Sequence, residues 1–117
     1  MKTEFLIYRP GVMLPEIQTI DIPEEPTFAE VKSALAPMLN LQGNIDRVVV
    51  DFRNEVHEMF VDDRGPFNDL PVNDAATLIY HEAMRRSGNP PFIDRPRPIR
   101  GIAVICLRKI WMFRKSI

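Results

Sequence analysis

Cysteine, glycine and histidine are scarce in this chain, and each scarcity removes a class of chemistry. The single cysteine, Cys106, cannot close an internal disulfide, which fits a reducing compartment. It sits in the apolar run 102–107 with no histidine beside it, so it reads as a buried, unreactive thiol rather than a nucleophile. The five glycines form neither a Walker A loop nor a Gly-x-Gly-x-x-Gly phosphate cradle. The two histidines, His57 and His81, fall on different predicted elements and lack metal-ligand spacing. Ser33, Ser87 and Ser116 lie outside any Gly-x-Ser-x-Gly elbow. Neither a catalytic constellation nor a cofactor or metal is therefore expected. No apolar run approaches the ~20 residues of a membrane span. Near the N-terminus, Glu4 and Arg9 bracket only a short apolar stretch, so a cytosolic location without a secretory leader is the expectation.

What is present is ordinary for one globular domain: 117 residues, 45% hydrophobic and 26% charged. The net charge of −1 conceals a division. Residues 1–82 carry 6 basic and 15 acidic side chains, a charge of −9, whereas residues 83–117 carry 9 basic and 1 acidic, a charge of +8. Such a split either marks an anionic partner or is offset when the two segments pack together, and the second is the commoner outcome.

Hydrophobic periodicity divides the chain into seven elements. Residues 4–8 and 16–22 read as a pair of strands separated by the turn signal Arg9-Pro10-Gly11. Pro23-Glu24-Glu25-Pro26 interrupts them. Thr27-Phe28-Ala29-Glu30 then has the spacing of a capping box, and Phe28, Val31, Leu35, Met38 and Leu39 define one helical face. Pro37 should distort or end the last turn. Residues 48–52 are nearly all apolar and read as a central strand, turning at Arg53-Asn54 into a strand over 56–61. Asn73 or Asp74 should cap a second helix, from about 74 to 86, with Ala76, Ile79, Tyr80, Ala83 and Met84 inward. A proline-rich connection, 88–100, leads to a buried strand over 101–107 and a basic aromatic tail, 108–117. The expected fold is α+β, a single domain over 1–117 in the order β-β-α-β-β-α-β, with a mixed sheet packed by two helices. Its first half has the element order of β-grasp folds.

The run Val61-Asp62-Asp63-Arg64-Gly65, then Leu70-Pro71-Val72-Asn73, Ala76-Thr77 and Ile79-Tyr80, resembles the central pattern of small uncharacterised proteins of bacteriophages, plasmids and related mobile elements. They are grouped as domain-of-unknown-function family 3846. Residues 99–105 resemble that group's closing strand, and the resemblance spans roughly 45–107. It implies a mobile-element origin and supplies no catalytic residues. Physical chemistry explains part of the same motif independently, since Leu70-Pro71-Val72-Asn73-Asp74 is a helix-entry device with an apolar residue, a rigid proline and a side-chain cap.

Two constellations are candidates for binding. Arg95, Arg97, Arg108, Lys109, Trp111, Phe113, Arg114 and Lys115 interleave cations with aromatics. That pattern suits nucleic acid, a membrane interface or self-association through the tail, and equally a docked tail whose rings complete the core. Glu55 and His57, with Asp51 across the hairpin, could form a loose ligand or metal cluster, although a solvated sheet face is the simpler reading. The sequence thus leads to a non-enzymatic accessory protein of a phage or mobile element that binds a host or element macromolecule, a protein first. A nucleic-acid-binding module using the basic C-terminal segment is one alternative. A metal- or small-ligand-binding protein built on the second hairpin is the other.

Overall fold

A computed structural model describes residues 1–65, 68–86 and 97–110. Its elements are β1 (Lys2–Tyr8), β2 (Glu16–Asp21), α1 (Phe28–Leu39), β3 (Ile45–Phe52), β4 (Glu55–Asp62), α2 (Asp74–Arg86) and β5 (Ala103–Cys106). The five strands form one sheet in the order β2-β1-β5-β4-β3. Every pairing in it is antiparallel, so the expected mixed sheet is corrected. The last strand enters between β1 and β4 and runs opposite to both, which leaves no parallel pair.

The alternation of side chains along the strands assigns each helix its face. Phe5 and Ile7 of β1, Phe60 of β4, and Val104 and Cys106 of β5 point to one side, where Val31, Leu35, Met38 and Leu39 of α1 cover them. Leu6, Tyr8, Val50, Met59 and Ile105 point to the other and meet Ala75, Ala76 and Ala83 of α2. The molecule is therefore a three-layer arrangement of helix, sheet and helix. β5 is its centre and is buried on both faces. This also corrects the expected position of residues 48–52. β3 is an edge strand; Val48, Val50 and Phe52 serve the α2 face, whereas Val49 on the other face is 47% exposed.

Local chemistry explains the element boundaries. Thr27 accepts the Glu30 backbone N–H at 3.2 Å, and Glu30 accepts the Thr27 N–H at 3.0 Å, completing the capping box. The α1 helix continues through Pro37 to Leu39 and stops at Asn40, whose left-handed backbone (φ 50°) ends it. Pro37 thus costs a hydrogen bond without ending the helix. Phe28, expected on the apolar face, is instead 51% exposed at the first turn. At the second hairpin, Arg53 and Asn54 both have positive φ (52° and 64°), the conformation of a two-residue primed turn.

Candidate functional site

The second hairpin does not gather its three candidate residues. In the β3–β4 register Val50 opposes His57 and Phe52 opposes Glu55, so His57 and Glu55 share the α2 face, whereas Asp51 alternates to the other side. The expected solvated face is corrected too. His57 is buried, its Nδ1 lies 3.2 Å from the Cys106 carbonyl just where β5 ends, and its ring meets Phe52 edge-on. His57 Nε2 is 3.7 Å from the exposed Glu55 carboxylate. The imidazole thereby engages a backbone carbonyl at the last paired position of β5. Next to it, an open groove of about 440 Å³ runs between the hairpin turn and α2, with Arg53 stacked on Phe52 and Leu78 exposed on its wall. Among the described residues, no group of three or more His, Cys, Asp or Glu is placed to hold a metal ion.

Of the basic aromatic set, Arg95, Trp111, Phe113, Arg114 and Lys115 lie outside the described residues. Arg97 is exposed and, with Asp46, lines a recess of about 180 Å³. Arg108 is committed to the fold: its Nε donates to Thr3 Oγ1 at 2.7 Å, and its two terminal nitrogens donate to the Glu24 and Pro23 carbonyls at 2.9 and 2.7 Å. It thereby ties the chain after β5 to both β1 and the entry of α1. Lys109 is exposed. The next residue, Ile110, is buried in the α1 core and donates its backbone N–H to Glu58 Oε1 at 2.6 Å. Glu58 is fully buried on that face and also faces the Arg47 guanidinium at 3.4 Å.

The other polar residues of the motifs are likewise used by the fold. Asn73 is fully buried and is the cap of α2: its Oδ1 accepts from Ala76 N–H at 3.1 Å, and its amide donates to the Tyr8 and Gly101 carbonyls, both at 2.9 Å. One side chain joins α2, the end of β1 and the approach to β5. Asp62 accepts backbone N–H groups of Gln42, Gly43 and Arg64, and Asp63 accepts that of Asn44. These carboxylates fold the α1–β3 loop against the end of β4, in a space so close that a Cβ on Gly43 would collide with Asp63 and Arg64. The Asp62-Asp63-Arg64-Gly65 run is accordingly a loop clamp. Cys106 is fully buried, and burial pushes its thiol up to about 11.

A different surface stands out, outside both candidate constellations. In the β1–β2 hairpin, Val12, Met13 and Leu14 are 49%, 58% and 79% exposed, and Ile17 at the start of β2 is 66% exposed. Gly11 (φ 80°) makes the bend that presents them, and the Arg9–Glu16 ion pair closes its base. Three consecutive apolar residues between Pro10-Gly11 and Pro15 were the available signal, because a turn needs none of them. No helix among the described residues is long and apolar enough to cross a membrane. No family model, curated protein or solved structure matches the chain.

Proposed function

We propose that this chain is a non-enzymatic accessory protein of a phage or mobile element that acts by binding a macromolecule of the host or element, a protein in the first place. The exposed apolar hairpin carries the reading. Leaving Val12, Met13, Leu14 and Ile17 in water is unfavourable at about 25 cal/mol per Å² of apolar surface, and exposed patches of this kind mark contact sites. The polar side chains that might have done chemistry support it from the other direction. Asn73, Asp62, Glu58 and His57 each hold a backbone group of another segment. The mobile-element origin comes from the resemblance over 45–107. The β1–β2 hairpin leading into α1 supports the proposed β-grasp-like first half.

The test is capture from host lysate on the immobilised full chain and on Leu14→Asp, across a salt series. The reading expects a retained macromolecule that Leu14→Asp loses, with capture nearly independent of salt. Retention that falls steeply with salt and ignores Leu14→Asp would instead support the nucleic-acid alternative, whose affinity rests on counterion release.

A further inference from the structure

β2 is a terminal strand of the sheet, so among the described residues one row of its backbone N–H and C=O groups has no strand beside it. Proteins ordinarily protect such an edge with charged side chains, proline, a bulge or extreme shortness. The opposite edge, β3, has Asp46, Arg47 and Asp51 within its length. Between its terminal acids, β2 has only Ile17, Gln18, Thr19 and Ile20. Its register with β1 runs unbroken from Lys2↔Asp21 to Ile7↔Glu16. The terminal acids are answered within the chain, Glu16 by Arg9 at 3.2 Å and Asp21 by the N-terminal amine. The result is a regular, locally neutral edge with an exposed isoleucine on it.

We infer that this edge pairs antiparallel with β2 of a second copy of the chain, joining two sheets into one of ten strands. Two copies related by a two-fold axis normal to the sheet keep each face on its own side. Only residues separated by an even number along the sequence can then stand opposite one another. Glu16 and Asp21 are five apart, so their carboxylates never meet head-on and the like-charge penalty of a cross-strand pair is avoided. Centring the pair on Gln18 sets Ile17 against the partner's Thr19 and Glu16 against the partner's Ile20, and it brings the two Gln18 amides together. Each register sets one isoleucine against a carboxylate; centring on Thr19 does so to the exposed Ile17, whereas centring on Gln18 does so to Ile20, which already packs against its own core, and this makes the Gln18 register the better one. In that register the two hairpin tips project at opposite ends of the shared edge. The assembly is then bivalent toward the macromolecule proposed above, and the inference rests on that reading of the hairpin as a contact surface.

Sedimentation equilibrium of the full chain over a concentration series tests the pairing. The wild type should be dimeric at micromolar concentration, and Ile17→Lys should be monomeric while keeping the wild-type far-UV circular dichroism, with a melting temperature lower by the lost mass-action stabilisation. Gln18→Cys should oxidise to a covalent dimer while the buried Cys106 stays silent. A wild type that remains monomeric into the millimolar range, or an Ile17→Lys variant that remains dimeric, overturns the inference. The two proposals fail separately. A monomeric wild type whose capture still depends on Leu14 removes only the pairing, whereas a dimer that captures nothing removes only the proposed function.

Discussion

Asn73 shows how much one buried side chain can hold. Three hydrogen bonds from a single amide join three segments that are distant in sequence. Asn73→Ala should lower stability by about 3 kcal/mol, because it removes a helix cap and strands two buried carbonyls. Asn73→Asp should be no better, since it keeps the acceptor for Ala76 but turns an oxygen toward those carbonyls. Denaturant midpoints of the two variants check this, and a midpoint near wild type for either would contradict the role. Cys106 gives a second expectation at this scale. Its thiol should react with a thiol reagent only after unfolding. The unfolded thiol loses its proton near 9 and the native one near 11, so between those values the native state binds more protons and stability must fall as pH rises. Burial raises Tyr8 as well and adds a loss of the same sign further up the scale. Cys106→Ala should flatten the fall that begins near pH 9; an unchanged slope in pH-dependent unfolding would contradict it.

At the scale of elements, α1 is held at its start by the capping box, so Thr27→Ala should cost about 1 kcal/mol. The Thr27 backbone N–H holds the Glu30 carboxyl below the ordinary glutamate range. A carboxylate lowered in the native state contributes stability that is complete above its unfolded pKa and disappears as pH falls through the native one. Acid titration of stability should therefore be shallower in Glu30→Gln than in wild type, and equal slopes would count against the box. The end of the described chain gives a sharper contrast. Truncation after Leu107 removes Arg108 from Thr3 and Ile110 from both the core and the buried Glu58, so it should destabilise the domain severely. Truncation after Ile110 keeps all of these contacts. Equal melting temperatures for the two truncations would show that the Ile110–Glu58 tie contributes nothing.

These elements also show what could be read before the structure. The start of α1, a cap at Asn73 or Asp74 and the turn at Arg53-Asn54 were legible because each depends on residues within a few positions of one another. The position of β3 was not. An apolar run such as Val48-Val49-Val50 does not say whether one face or two will be covered, and that depends on where β5, fifty residues later, inserts. His57 was misplaced for the same reason, since its environment is created by the end of β5. The hairpin patch has only a weak mark in the sequence, the apolar run Val12-Met13-Leu14 between Pro10-Gly11 and Pro15, because apolar composition alone does not distinguish exposed from buried residues.

At the scale of the molecule, the two helices cover opposite faces, and the sheet carries its polar clamps at the strand ends. Among the described residues, the one run of consecutive exposed large apolar side chains is the hairpin at one corner, Val12-Met13-Leu14. This corner, and neither the second hairpin nor the basic C-terminal segment, is the proposed place where the protein meets its macromolecular partner. Amide hydrogen exchange of the full chain, at one fixed protein concentration with and without the captured macromolecule, tests it most directly. New protection confined to residues 11–21 is the predicted result; protection at residues 51–57 or 108–117, with the hairpin unchanged, would contradict the claim.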